Sequence, residues 1–235
     1  MLVVGLTGCG SGAAPQPAAP QPTATGVVVV GDSLMVQATP YLQPLIGQRT
    51  FVADVFGGTA PCDWLAKDLQ VTPGSVVVIS FDGNSSTSCM GDGAGGYLSG
   101  QAVVDKYRTD ITSLIALAHA AGAVVLLVGQ PVHADSVPGN ETVAGLNDTY
   151  TSLVHEPDVA FVDAGAAVET ADGGFAMSLP CLPGEAECDP SGSNVIRNDD
   201  GLHFCPGSPP PGPCTVYASG AFRFANAIAQ TIATK

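Results

Sequence analysis

Ser33 lies in the stretch VVVVGDSLM, in which Gly-Asp-Ser directly follows four consecutive valines. A run of β-branched residues is typical of a buried strand, and glycine, aspartate and serine are favoured in the turn that follows one. A serine hydroxyl held at such a strand end can act as a nucleophile when a neighbouring base takes its proton. The stretch is also compatible with an ordinary turn, so a catalytic role for Ser33 requires partners elsewhere in the chain.

Two further residues with suitable chemistry lie in the stretch NDDGLHFCPG, before the last apolar segment of the chain. Asp200 precedes His203 by three residues, so one turn of chain lets the carboxylate accept a hydrogen bond from the imidazole. His203 taken alone is also compatible with an ordinary loop histidine. Together with Ser33, however, the pair supplies a nucleophile, a general base and the acid that fixes the tautomer of that base. We therefore predict a triad of Ser33, His203 and Asp200.

Apolar segments and helix-like segments alternate along the chain. Five short, valine-rich segments are predicted to be strands, at residues 26–30, 50–55, 75–80, 123–129 and 159–164. Helices are predicted from the spacing of apolar residues at 102–122, 141–154 and 217–234. This order predicts an α/β fold with a parallel sheet covered by helices on both faces, which binds ligands at the carboxyl ends of its strands. Residues 165–215 are predicted to form a long loop region.

The GDSL sequence that begins at Gly31 and the Asp-x-x-His sequence before the last helix resemble the GDSL or SGNH hydrolase family. The resemblance extends from about Val27 to Lys235. It implies a flavodoxin-like, three-layer α/β/α sandwich with a five-stranded parallel sheet. The four sequence blocks of that family contribute Ser, Gly, Asn and His in this order, and Ser33 and His203 match the first and the last.

The two middle blocks would supply hydrogen-bond donors to a negatively charged oxygen. Gly57 in VFGGTAPCDW is the better match to the glycine block, with Gly58 second, and Asn84 in SFDGNSSTSC matches the asparagine block. The resemblance thus implies an oxyanion hole formed by the amides of Ser33 and Gly57 and the Asn84 carboxamide. Asp82 stands two residues before Asn84, where the family has glycine, so the backbone departs from the pattern there. The asparagine is also compatible with a turn cap.

The remaining histidines and the acid beside the serine are given structural roles. His119 lies in a predicted helix, and His133 and His155, like it, are predicted to be structural or rim residues. Asp32 is expected to hold the turn before Ser33. The G-x-S-x-G sequence of the α/β-hydrolases is not formed, because a methionine stands two residues after the serine. The chemistry of the triad calls for neither a metal nor a cofactor.

The composition bounds the class of protein and its partners. At 235 residues and 46% hydrophobic content, the chain is long and apolar enough to fold around its own core. The 7 basic and 21 acidic residues give a net charge of -14, which argues against nucleic acid as a partner. No stretch reaches the roughly 18 apolar residues of a membrane span. We expect a monomer.

The chain contains 7 cysteines, and all but Cys9 fit a set of disulfides. The others are Cys62, Cys89, Cys181, Cys188, Cys205 and Cys214. An even number in an exported chain favours three disulfides over a zinc site, although six cysteines allow 15 pairings and the sequence leaves that choice open. The short spacings favour a Cys181–Cys188 bridge and a Cys205–Cys214 bridge. The remaining Cys62–Cys89 bridge would clamp the two loops of the implied oxyanion hole.

The first residues resemble part of a signal peptide for export. The sequence LTGC, which ends at Cys9, has the aliphatic-x-small-Cys form at which bacterial signal peptides are cut and the cysteine is acylated. The Pro/Ala-rich stretch after it cannot build a core and favours a semi-rigid tether. We expect a partial lipoprotein signal peptide at 1–8, which lacks the usual basic region, then a tether at 9–25 and the hydrolase domain at 26–235. The expected location is outside the cytoplasm, either secreted or attached to the membrane only through a lipid on Cys9.

Together these features predict a serine esterase that hydrolyses small acyl esters through a covalent acyl-enzyme. The expected substrate carries O-acetyl groups on a carbohydrate or lipid of the cell envelope. An O-acyltransferase would use the same triad and would differ only in what removes the acyl group from the serine. A non-catalytic, carbohydrate-binding lipoprotein on the same fold is a third alternative, which the altered asparagine block favours.

Overall fold

The computed structural model describes residues 24–208 and 212–235. It contains a parallel sheet of five strands, β1 (Gly26–Gly31), β2 (Thr50–Val55), β3 (Val76–Ser80), β4 (Val124–Val128) and β5 (Val159–Val162). The strand order is β2-β1-β3-β4-β5, so β1 pairs with β2 on one side and with β3 on the other. The main helices are α1 (Ser33–Leu45), α2 (Gln101–Ala120), α3 (Asn140–Ser152) and α4 (Ser219–Ile232).

Successive valines of β1 lie on opposite faces of the sheet, and each face is covered by helices. Val27 and Val29 pack into one core with α1 and α4. Val28 and Val30 pack into a second core with α2 and α3. Because both faces are buried, β1 needs no polar residues between its apolar ones, which explains the run of valines. The predicted three-layer α/β/α sandwich with a five-stranded parallel sheet is confirmed.

The three predicted helices correspond to α2, α3 and α4, whereas α1 begins where the sequence predicts a turn. The turn is a single residue, because Asp32 has extended backbone (φ −100°, ψ −152°) and caps the helix that follows. Pro40 and Pro44 lie inside this helix. Proline in a helix interior removes a backbone hydrogen bond, so these two residues make the sequence of α1 atypical of a helix.

The predicted loop region between β5 and α4 contains a small antiparallel hairpin of β6 (Ser178–Pro180) and β7 (Ser193–Val195). A buried ion pair between Glu185 in the hairpin loop and Arg223 in α4 fastens the hairpin to the sandwich. The hairpin part of this segment therefore packs against α4.

All three predicted disulfides are confirmed. Two of them, Cys181–Cys188 and Cys205–Cys214, close short loops within the region before α4. The third, Cys62–Cys89, joins the segments that follow β2 and β3. It therefore links two of the loops at the carboxyl edge of the sheet, where ligands bind in folds of this kind.

Residues 1–8, Cys9 and most of the predicted tether lie outside the described residues. Within the described part of the chain, we find no helix that is both long enough and apolar enough to cross a membrane.

Removal of the Cys62–Cys89 disulfide should destabilise the domain more than removal of Cys181–Cys188. The two bridges span sequence separations of 27 and 7 residues, and the longer loop restricts the unfolded chain more. The loop-entropy relation gives losses of roughly 3–4 and roughly 2–2.5 kcal/mol in the free energy of unfolding. Urea unfolding of the two double Cys→Ser variants measures both losses. A smaller loss for the Cys62–Cys89 variant would contradict this ranking.

Candidate active site

Ser33 is the first residue of α1 and follows Asp32 at the end of β1. Gly31 makes this sharp connection possible, because a Cβ atom there would lie 2.7 Å from the carbonyl oxygen of Ser80. Ser33 is 6% exposed. As a first-turn residue, it has a backbone N–H with no partner within the helix. The local fold therefore presents both an amide donor and a hydroxyl at the carboxyl edge of the sheet.

The Asp32 carboxylate connects the ends of β1 and β3. Its Oδ1 accepts the Leu34 N–H at 3.2 Å, which caps α1. Its Oδ2 accepts the backbone N–H of Asp82 at 2.7 Å and the Asn84 Nδ2 at 2.9 Å. The expectation that Asp32 holds the turn is confirmed, and this fully buried carboxylate also orients the Asn84 side chain.

The imidazole of His203 lies between Ser33 and Asp200. Its Nε2 is 2.9 Å from Ser33 Oγ, and its Nδ1 is 2.8 Å from Asp200 Oδ2. The other carboxylate oxygen, Asp200 Oδ1, accepts the backbone N–H groups of Leu202 and His203, both at 2.9 Å. The Asp-x-x-His segment thus makes the single turn that its spacing predicts. The structure brings the three residues of the predicted triad together, although Ser33 lies 167 or more residues from the other two in the sequence.

Buried amide side chains hold the His203 loop in place. Gln37, on α1, accepts the backbone N–H of Phe204 through its Oε1 at 2.7 Å. Asn198 donates its backbone N–H to the His203 carbonyl at 2.7 Å and its Nδ2 to the Cys205 carbonyl at 2.6 Å. Because Gln37 lies on the same helix as the serine, α1 positions both the nucleophile and the segment that carries the base.

Gly201 and Arg197 join the same loop to the segment that follows β4. Gly201 has φ +75°, and a Cβ atom there would lie 2.6 Å from the Ala134 Cβ, so the position requires glycine. The buried guanidinium of Arg197 donates to the Leu202 carbonyl at 2.8 Å and to the Val132 carbonyl at 3.1 Å. These contacts fix the distance between the two loops.

The Asp200 carboxylate stays ionised in this arrangement. Burial alone would raise the pKa of Asp200, but the N–H groups of Leu202 and His203 and the imidazole outweigh it and hold that pKa below its usual value. An ionised carboxylate only accepts hydrogen bonds, so the His203 Nδ1 carries a proton. Nε2, the nitrogen that faces Ser33 Oγ, is then the one free to accept the Ser33 hydroxyl, which is the orientation a general base needs.

A cavity of about 770 Å³ opens over Ser33 and His203. Gly57, Gly58 and Asn84 line the same cavity. The structure therefore brings every residue predicted for the oxyanion hole to one space, beside the serine and the histidine.

Asn84 is held by two buried neighbours. Its Nδ2 donates to Asp32, and because a carboxamide nitrogen carries two hydrogens, a second donor remains for a ligand. The Tyr107 hydroxyl donates to the Asn84 carbonyl at 2.8 Å, and the Tyr150 hydroxyl donates to the Phe81 carbonyl at 2.9 Å. The two tyrosines, on α2 and α3, thereby hold the loop after β3 in place.

Asp82 and His133 form a second acid–imidazole pair in the cavity, whereas the sequence predicts only a structural or rim position for His133. The His133 Nε2 lies 2.8 Å from Asp82 Oδ2, and both residues line the cavity. His133 is 4% exposed and Asp82 is 8% exposed. A signal was present in the sequence: His133 follows the predicted fourth strand, at the edge where the other site residues were placed.

One group of potential metal ligands occurs among the described residues. Sulfur and carboxylate atoms of Cys62, Asp63 and Cys89 lie close together. The two sulfur atoms are joined in a disulfide, however, and a metal ligand would have to be a thiolate. This group does not fit a metal ion.

The buried position of Asp32 should make the stability of the domain depend on pH. Burial and the neighbouring charge of Asp82 raise the pKa of Asp32 from 3.8 to about 7, despite the hydrogen bonds that it accepts. Between these two values the folded protein binds a proton that the unfolded chain releases. Ionisation of Asp32 therefore lowers the free energy of unfolding as the pH rises through this range.

An Asp32→Asn variant should lose this dependence. The variant gives up hydrogen bonds at every pH, but its free energy of unfolding should rise relative to wild type between pH 4 and pH 7, by a few kcal/mol at most. Urea unfolding of both proteins across this range measures the difference. A difference that stays constant with pH would contradict the raised pKa.

Comparison with solved structures shows the same fold in three bacterial enzymes. The acetylxylan esterase Axe2 of Geobacillus stearothermophilus is 13% identical, with a TM-score of 0.56 over 89% of this chain and 94% of that one. A GDSL-like lipase of Bacteroides thetaiotaomicron is 15% identical, with a TM-score of 0.53 over 92% of each chain. The catalytic domain of peptidoglycan O-acetyltransferase A of Streptococcus pneumoniae is 17% identical, with a TM-score of 0.52 over 89% and 93%.

At these identities the likeness shows a shared fold. No curated protein sequence matches the chain significantly. One family model does match, over residues 26–208, and its description is "Protein of unknown function (DUF459)". The matched segment contains β1 to β7 and every residue of the predicted site. The chain is therefore a member of the DUF459 family, built on the fold of the GDSL or SGNH hydrolases.

Proposed function

We propose that this protein is a serine esterase that hydrolyses small acyl esters, with Ser33 as nucleophile, His203 as general base and Asp200 as the acid that orients the base. The observation that carries the proposal is the continuous hydrogen-bonded chain from Ser33 Oγ through His203 to Asp200, with distances of 2.9 and 2.8 Å. A structural histidine needs no serine on one side and an ionised acid on the other. This arrangement is the one that activates a hydroxyl.

The reaction would proceed in two halves. Ser33 Oγ attacks the ester carbonyl carbon while His203 Nε2 takes the hydroxyl proton, and the carbonyl oxygen becomes negatively charged. The bond to the alcohol then breaks, and His203 gives its proton to the departing alcohol oxygen. In the second half, His203 Nε2 takes a proton from water while the water oxygen attacks the acyl carbon. The bond from that carbon to Ser33 Oγ then breaks, His203 returns the proton to Ser33 Oγ, and the carboxylic acid leaves.

The developing oxyanion would be stabilised by neutral donors. The candidates are the backbone N–H of Ser33, the backbone N–H of Gly57 or Gly58, and the second Nδ2 hydrogen of Asn84. All four residues line the cavity, and Asp32 fixes the Asn84 side chain. Loss of one such donor typically lowers kcat by about 10²–10³. The cap on α1 thus supports both the nucleophile and the oxyanion hole.

Acyl transfer is the second candidate function. The same acyl-enzyme would form, and a sugar hydroxyl in place of water would remove the acyl group. The shared fold with a peptidoglycan O-acetyltransferase catalytic domain supports keeping this reaction open. A purely carbohydrate-binding role is less well supported, because it leaves the aligned triad without a purpose.

We propose that the domain works outside the cytoplasm. Its three disulfides favour an oxidising compartment. The LTGC sequence supports attachment to a membrane through a lipid on Cys9, with the Pro/Ala-rich stretch as a tether. Such an anchor would confine a monomeric enzyme to the cell envelope, where acylated carbohydrates and lipids are available as substrates.

The esterase activity should depend on the serine hydroxyl. With 4-nitrophenyl acetate as substrate, Ser33→Ala should lower kcat by at least about 10³-fold, because the nucleophile is lost while the oxyanion hole remains. Ser113→Ala is a matched control, because Ser113 lies on α2 outside the cavity lining and donates its hydroxyl to the Thr109 carbonyl of the same helix. Release of 4-nitrophenol measures the rates. Equal background hydrolysis by wild type and Ser33→Ala would contradict the proposed function.

A further inference from the structure

The Asp82–His133 pair has a bonding pattern that the triad does not explain. The two side chains share a 2.8 Å hydrogen bond between Asp82 Oδ2 and His133 Nε2, and both residues are buried. Asp82 stands where the resemblance to the SGNH hydrolases calls for glycine, which has no side chain to offer. The contact is therefore a feature of this chain, and it joins the loop after β3 to the loop after β4.

Asp82 lies in the loop that carries the proposed oxyanion donor Asn84. The backbone N–H of Asp82 and the Asn84 Nδ2 donate to the same oxygen, Asp32 Oδ2, at 2.7 and 2.9 Å. Asp32 therefore holds this loop from the β1 side of the sheet. The His133 contact holds it from the opposite side, because β3 lies between β1 and β4. The tyrosines of α2 and α3 bond only to backbone carbonyls of the loop region, so the pair adds a separate restraint.

His133 is itself fixed at its backbone and at its ring. The Asn140 side chain accepts the His133 backbone N–H at 2.7 Å and donates to the His133 carbonyl at 3.0 Å. Asn140 is the first residue of α3. The Pro138 carbonyl faces Nδ1, the ring nitrogen that does not bond to Asp82. An imidazole held in this way is a rigid anchor for the loop that carries Asn84.

The loop after β4 also continues to the segment that carries the proposed base. Ala134 directly follows His133 and donates its backbone N–H to the Gly201 carbonyl at 2.9 Å. Gly201 stands two residues before His203. The path from Asn84 to His203 thus crosses two hydrogen bonds, that of the pair and that of Ala134, and otherwise follows short stretches of chain. This path does not pass through the helix of the nucleophile.

We propose that Asp82 and His133 are positioning residues, which place the Asn84 carboxamide at the developing oxyanion and at the distance from His203 that the reaction requires. This inference rests on the proposed esterase function and adds two residues to its machinery. The side chains of the pair bond to each other and act through Asn84 rather than on the ester itself. A misplacement of about 1 Å in such a site can lower the rate by about 100-fold.

The charges of the pair strengthen its contact. Burial and the charge of Arg197 lower the pKa of His133. The hydrogen bond and the charge of Asp82, together with the Pro138 carbonyl, outweigh both, so that the pKa of His133 lies above its usual value. Hydrogen bonds between ionised groups are shorter and stronger than those between neutral ones. The imidazolium also balances the Asp82 carboxylate, which would otherwise repel an oxyanion in the cavity.

A double-mutant cycle tests the proposal with 4-nitrophenyl acetate as substrate. Asp82→Ala should lower kcat by about 10-fold or more and change KM by less than about 3-fold, because a misplaced Asn84 weakens binding of the transition state rather than of the ester. In an Asn84→Ala chain the same change should lower kcat by less than about 3-fold, because no carboxamide remains to be misplaced. Asp82 is the residue to change, since removal of His133 would leave a buried carboxylate unpaired.

Further variants complete the test. Asp82→Asn keeps an oxygen that accepts the His133 Nε2–H and should retain kcat within about 3-fold. Asp82→Ser, whose side chain is too short to reach His133, should match Asp82→Ala and replaces it in the cycle if the alanine variant does not fold. His155→Gln is the control and should leave kcat unchanged, because the His155 side chain is 74% exposed and lies outside the cavity lining.

The outcomes separate the two proposals. A wild-type chain without esterase activity overturns the proposed function. An active wild type in which Asp82→Ala and Asp82→Ser retain kcat overturns only the positioning role. The same holds if the loss of kcat is equal with and without Asn84, because the pair would then not act through that residue.

Discussion

The candidate site depends on one buried carboxylate. Asp32 caps α1, and so fixes the start of the helix that carries Ser33, while its other oxygen holds the backbone of Asp82 and the side chain of Asn84. The proposed nucleophile, the proposed oxyanion donor Asn84 and the backbone of Asp82 are thereby tied to a single group. Burial disfavours the ionised form of this acid and raises its pKa. Its three hydrogen bonds offset part of that cost and fix the geometry that catalysis would require.

The histidine reaches the serine through a different set of constraints. His203 arrives from the long segment between β5 and α4, and Gln37 on α1 holds that segment against the helix of the nucleophile. Disulfides, the Glu185–Arg223 ion pair and a tight turn at Gly201 restrict the segment further. The carboxyl edge of the sheet thus carries the serine, and the disulfide-bridged segment between β5 and α4 carries the histidine. Restraint of that segment suits a triad, because small displacements of the imidazole reduce its effectiveness as a base.

The sequence was sufficient for the sheet and for the residues that meet at its edge, because both follow from local patterns. The valine run of β1 predicts a strand buried on two faces, and the spacing of Asp200 and His203 predicts their hydrogen bond. Helix α1 was not predictable in this way, because its prolines disfavour a helix that tertiary packing nevertheless stabilises. The Asp82–His133 contact was missed for a related reason. It joins two loops that are 51 residues apart, and only the register of β3 against β4 brings them together.

The central claim is that Ser33 is a nucleophile activated by His203. Labelling of the full chain with a fluorophosphonate, followed by peptide mass spectrometry, tests it most directly, because the reagent reacts with activated serines whatever their natural substrate. We predict one adduct, on Ser33, and a labelling rate that falls by about 100-fold or more in His203→Asn, as expected when the general base is lost. An adduct on another residue, or labelling of Ser33 at the same rate without the histidine, would contradict the account.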